Sequence, residues 1–109
     1  MRLDSVTKEP QLVEKFVRGV VQGLKYTYAD PAGAALIAKK EFPTMAAEDL
    51  KATLDRTFAD ELWSHNGMVS PEAWKTGEGV VLAAGILKQP VAYDAIIEMK
   101  FVKSTQATR

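Results

Sequence analysis

Few residues in this sequence could do acid–base or nucleophilic chemistry. The only histidine, His65, lies in the stretch Trp63-Ser64-His65-Asn66-Gly67. Catalysis by it requires a nucleophile or a carboxylate placed to orient the ring. Ser64 is its neighbour in sequence, and adjacent side chains rarely converge, so the spacing predicts an exposed loop histidine. The acids Glu48, Asp49, Asp55, Asp60 and Glu61 cluster in sequence, but on an amphipathic helix they form its wet face. Gly77 and Gly79 in "KTGEGVV" fall inside a helical pattern, whereas a phosphate-cradling loop needs a strand, a glycine turn and then a helix. Close helix packing is the expectation for that pair. The chain has no cysteine, which excludes disulfides and thiolate metal sites, and one histidine is a poor basis for a transition-metal site. No catalytic residue, cofactor or metal is assigned. The aromatics Trp63, Trp74, Tyr26 and Tyr28 either close a core or stack on a ligand. Trp63, His65 and Asn66 are the candidate ligand contacts, because their loop is aromatic and polar at once.

These residues need a scaffold, and 109 residues with 47% apolar content are enough for one domain with a modest core. Fourteen basic and fourteen acidic side chains balance, so the basic surplus of a nucleic-acid binder is missing. No segment reaches the length of apolar residues that spans a bilayer. "MRLDSVTKEP" lacks the apolar stretch of a secretion signal, which places the chain in the cytoplasm if it is complete as written.

Helix punctuation recurs along the chain. Pro10 opens a stripe of Leu12, Val13, Phe16, Val17, Val20, Val21 and Leu24, predicting a helix to about Tyr28. Glu14 and Arg18 pair on its far side, and Gly19 and Gly23 leave room for a second backbone. Asp30 and Pro31 start a thin Ala-rich helix with Lys39 and Lys40 in its last turn and Pro43 as its stop. A third helix begins at Thr44 or Met45 and carries Leu50, Leu54, Phe58 and Leu62 at four-residue spacing. The fourth runs from the cap Ser70 and Pro71 to the closing Gly85. Residues 1–8 read as an extended lead-in, with "RLDSV" as the tail of a strand. Residues 88–102 read as a short strand or a final turn of helix, and 103–109 as a disordered tail. The fold class is therefore all-α: one helical domain, 1–109, built as a small bundle of four main helices.

The order of these signals resembles the C-terminal third of solute-binding proteins of ABC-type importers, of the nitrate/sulfonate/taurine and thiamine-pyrimidine type. Pro10, Leu12, Val13, Phe16, Val17, Arg18, Tyr28, Pro31, Ala34 and Ala35 carry the first part of the likeness. Trp63, Gly67, Trp74, Leu82, Gly85, Ile86, Leu87 and Pro90 carry the second. The likeness implies a fragment of a two-lobe periplasmic-binding-protein fold, non-catalytic capture of a small organic solute, an ABC permease as partner and an extracytoplasmic location. The chain departs from the family in having no counterpart of its two α/β lobes, nor of the histidine and lysine of fungal relatives that make the thiamine pyrimidine. His65 does not match that histidine, so no enzymatic role transfers.

Helices that cover a sheet or another lobe in a larger protein leave apolar faces bare when alone. The faces of Leu12, Phe16 and Val20 and of Leu50, Leu54 and Phe58 then need a partner, and self-association into a homo-oligomer is the expectation. The alternative to a solute-binding segment is a freestanding helical self-association module that binds no ligand.

Overall fold

Pro10 opens the longest element of the computed structural model, which describes residues 1–107. Among the described residues there are seven helices and no strand, so the fold is all-α. Helix α1 covers Leu3–Lys8, α2 Pro10–Ala29, α3 Pro31–Glu41, α4 Ala47–Ala59, α5 Pro71–Ala83, α6 Tyr93–Ile96 and α7 Lys100–Ala107.

The expected punctuation is in place. Asp30 Oδ1 accepts from the Gly33 N–H at 3.0 Å and caps α3. Ser70 Oγ accepts from the Ala73 N–H at 3.0 Å and caps α5. Each satisfies a donor that the first helical turn leaves without a partner. Gly85, with φ of +74°, provides the left-handed residue that ends the α5 segment. Helix α4 starts later than Thr44 or Met45, because the Met45 N–H is committed to the Phe42 carbonyl at 3.2 Å. The Lys39 ammonium donates to the carbonyls of Pro43 and Met45, fixing that turn.

Both ends differ from the expectation. The lead-in is helical over Leu3–Lys8, with Asp4 in its first turn and Lys8 in its last, where each complements the helix dipole. Leu3 and Val6 are three apart, a helical spacing rather than a strand one. Of the two expectations for 88–102, a short strand or a final turn of helix, the segment takes the helical one: it forms α6 and the first turn of α7, separated by an extended Ile97 with φ of −101° and ψ of 123°. Glu98 Oε1 accepts from the Lys100 N–H at 3.0 Å and holds the start of α7. The polar tail is helical through Ala107; residues 108–109 of the expected disordered tail lie outside the described residues.

That tail completes the core. Val13 and Val21 of α2 and Phe101 and Val102 of α7 are buried, with Leu50 of α4 buried apart from them on its own element. Burying such side chains contributes roughly 1.5–3 kcal/mol each. Thr105, 4% exposed, donates its hydroxyl to the Val102 carbonyl at 2.7 Å, so its burial leaves no donor unpaired. Ser104 Oγ donates to Glu14 Oε1 at 2.9 Å and Gln106 Nε2 to the Asn66 carbonyl at 3.0 Å, tying α7 to α2 and to the 63–67 loop. Glu14 also meets Arg18 at 3.5 Å, the pair its spacing predicts.

Beyond this core the chain is open. Helix α5 packs against α6 and buries none of its residues. Leu12, Phe16, Ile37 and Phe42 are each at least half exposed. A Cβ added at Gly19, Gly23, Gly77 or Gly79 would meet nothing within 4 Å, so among the described residues the close approach expected at both glycine pairs is absent. The radius of gyration is 17.0 Å, against about 13 Å for a compact domain of this length. The accessible surface is 8468 Å², where a compact monomer of 12.0 kDa presents roughly 6,000 Å².

Candidate functional site

The loop after α4 is built by two departures from ordinary backbone. Glu61, with φ of +48°, ends the helical path, and Gly67, with φ of +78°, turns the chain back toward α2 and α7. Between them Ser64 Oγ accepts from the Gly67 N–H at 2.8 Å and the Asn66 N–H at 3.4 Å. Asn66 Oδ1 accepts from the Met68 N–H at 2.9 Å. The loop is thus a self-capped turn whose polar side chains are mostly spent on its own backbone.

Its rings gather on the end of α2. His65 stacks on Tyr28, centroids 3.8 Å apart and planes 25° apart. Phe58 meets Tyr28 edge to face at 5.7 Å and Trp63 at 5.4 Å, separations typical of favourable aromatic pairs. The Tyr28 hydroxyl donates to the Trp63 carbonyl. His65 Nε2 lies 3.3 Å from Glu61 Oε1, with both side chains more than half exposed. Of the three candidate contacts, Trp63 and His65 therefore join one aromatic cluster. Asn66 instead caps the turn. Tyr28 and Phe58 complete the cluster; Tyr28 stood among the noted aromatics, while Phe58 is the fourth-spaced residue after Leu54 and reads from sequence only as a stripe residue.

The Glu61 carboxylate lies within 3.3 Å of the exposed His65 ring and is placed to orient it. Ser64 is engaged as a backbone acceptor, and His65 presents its face to a phenol ring. The acids of α4 behave as a wet face, with Lys51–Asp55 at 2.6 Å and Arg56–Asp60 at 3.9 Å. Among the described residues no three His, Cys, Asp or Glu side chains converge as metal ligands, and no helix is long and apolar enough to cross a membrane.

Trp63 also borders an open cleft of about 670 Å³ between α2, α3 and α4. Leu24, Ile37, Phe42, Met45 and Leu54 form much of its wall. Its threonines donate to their own helices: Thr27 to the Gly23 carbonyl, Thr53 to Asp49 and Thr57 to Thr53, each at 2.8 Å. The walls consequently offer carbon and almost no uncommitted donor. A pocket that orients a polar solute needs a few convergent polar groups, so this one suits an apolar surface.

A smaller cavity of about 410 Å³ lies between α5 and α6. Trp74 Nε1 donates to the Val91 carbonyl at 3.0 Å, and the Val91 N–H donates to Glu78 Oε2 at 2.7 Å, fastening the Lys88–Val91 turn onto α5. Trp74 is thus a packing residue of this unit.

Compared with protein-family models, curated proteins and solved structures, the chain returns no match.

Proposed function

We propose that this chain is the C-terminal helical segment of the solute-binding component of an ABC-type importer, contributing to capture of a small organic solute without chemistry of its own. The order of helix signals from Pro10 to Pro90 supports the family, with α2–α5 as the four main helices of that segment. The observation that carries the reading is the uncovered surface: roughly 2,500 Å² more than a compact monomer of this mass presents. Helices α2, α3 and α4 turn aliphatic and aromatic side chains outward, as elements do when they cover a sheet or a second lobe. Solute contacts then belong mainly to the lobes these helices would support, with half-buried Trp63 and exposed His65 and Asn66 the residues of this segment proposed to touch one. On this reading the whole protein works outside the cytoplasm with a permease partner.

The test is the reading frame upstream of the Met1 codon. In-frame sequence encoding two α/β lobes, or an adjacent permease and ATPase, supports the proposal. An upstream stop codon with its own ribosome-binding site and no transporter genes nearby overturns it. The second reading, a freestanding association module, is favoured by the cleft, whose walls hold almost no uncommitted polar group. Tight binding of a pyrimidine or sulfonate by the 109-residue chain would count against that module.

A further inference from the structure

We infer that residues 70–97 form an arm that swings as one body on a double hinge, and that Asp94, drawn toward the lysines of α7, holds it shut. The arm comprises α5, α6 and the turn between them. It is well fastened inside: Trp74 and Glu78 of α5 bond to the Val91 backbone at 3.0 and 2.7 Å beside the α5–α6 cavity. Its attachment to the remainder is slight. No residue from 70 to 97 is buried, so the arm contributes nothing to the core of Val13, Val21, Phe101 and Val102. Among the described residues, the hydrogen bond that ties it to the remainder runs from the Tyr93 hydroxyl to the Val69 carbonyl at 2.6 Å.

The chain enters and leaves the arm at neighbouring points. The Val69 N–H donates to Met99 Sδ at 3.3 Å, a weak acceptor, so the two crossings lie side by side and can turn together. Both are extended: Ser70 has φ of −76° and ψ of 156°, and Ile97 φ of −101° and ψ of 123°. Rigid units joined through a few residues at the ends of their elements move by hinge rotation. A crevice of about 290 Å³ at this hinge sets the direction. Tyr93 and Asp94 of α6 line one side, and Lys100 and Lys103 of α7 the other. Glu98 between them is engaged by the Lys100 N–H, and the Lys100 ammonium sits 5.0 Å over the Phe101 ring. Among the described residues neither Asp94 nor Lys103 is in an ion pair. Closing the crevice brings these opposite charges together, at the cost of no buried contact. This inference stands apart from the importer reading, since it concerns motion within the 109-residue chain.

The test is a set of spin-label distances in the full chain, read by pulsed electron resonance. The native chain has no cysteine, so labels can be placed on the exposed positions Lys15, Lys75 and Gln89. Lys15→Cys with Lys75→Cys reports the arm against α2, and Lys75→Cys with Gln89→Cys reports the arm's interior. The first pair should give two populations of distance and the second a single narrow one. Salt at about 1 M, where the screening length is about 3 Å, should deplete one of the two populations. Asp94→Asn should deplete the same one by roughly twofold to fivefold, the range of an exposed ion pair, with helical circular dichroism retained because Asp94 is exposed. One narrow distance between Lys15 and Lys75 overturns the inference. So does an interior pair as broad as the crossing pair, which would mean that the segment loosens rather than swings. Two populations indifferent to salt and to Asp94→Asn overturn the role given to Asp94.

Discussion

The same substitution, glycine to alanine, should change stability in opposite directions at Gly67 and Gly19. At Gly67 the backbone holds φ at +78°, a region where a Cβ costs roughly 1–2 kcal/mol. The new methyl would also sit 3.2 Å from Val21 Cγ2 and 3.6 Å from Val102 Cγ1. Val21 is 2% exposed and has no room to retreat, so crowding raises the cost to roughly 2–3 kcal/mol. Gly19 lies in the interior of α2, and its Cβ would meet nothing within 4 Å. There alanine should gain about 0.5–1 kcal/mol by restricting the unfolded chain and favouring helix. The two variants should therefore differ by about 3 kcal/mol, well outside the error of a urea titration followed by helical circular dichroism. Equal midpoints for Gly67→Ala and wild type would refute the packing assigned to the 63–67 loop. Loss of stability in Gly19→Ala would show that another backbone lies against α2 in solution.

Ending the chain after Val102 should cost far more than removing a loose tail. It deletes buried Thr105 and the Ser104–Glu14 and Gln106–Asn66 bonds and leaves α7 with three residues, so the cooperative thermal transition should disappear; an unchanged transition would mean α7 does not pack on α2. Ser70→Ala should cost about 1 kcal/mol through loss of the α5 cap, read as a lower thermal midpoint. Trp74→Phe removes the indole donor to the Val91 carbonyl and should cost about 1 kcal/mol, with faster hydrogen exchange at the Val91 amide. His65→Ala should cost only about 0.5 kcal/mol, since its stack on Tyr28 is solvent-exposed, while altering Trp63 fluorescence.

The main helices were readable because their signals are local. A proline at the first helical position and an Asp or Ser before it act within one turn, so Asp30-Pro31 and Ser70-Pro71 mark starts whatever the tertiary context. The ends of the chain were harder because their structure is decided elsewhere. "AIIEMKFV" alternates enough to pass for a strand, yet Phe101 and Val102 are held in a helix by the buried side of α2. "KSTQATR" has no apolar residue to announce burial beyond alanine, and Thr105 is buried only because its hydroxyl can be returned to the Val102 carbonyl. The aromatic cluster was half legible. Trp63 and His65 stand together in sequence, while their meeting with Tyr28 and Phe58 depends on how two helices end.

One feature of α2 was in the sequence and carries the need for a partner. At about 100° per residue, its seven apolar positions spread over about 180° of the helix surface. Leu12, Phe16 and Val20 occupy the first part of that arc, and Val13, Leu24, Val17 and Val21 the remainder. The structure divides them at the same point: the second group is buried or half-buried, whereas the first is 59%, 61% and 48% exposed. A core-facing stripe is usually little more than about 100° wide, so a stripe of about twice that width calls for neighbours on two sides. Helix α7 provides one. The other side, Leu12 and Phe16 above all, has no cover within the described residues beyond the short α1, and a chain selected to stand alone would have little reason to keep it apolar.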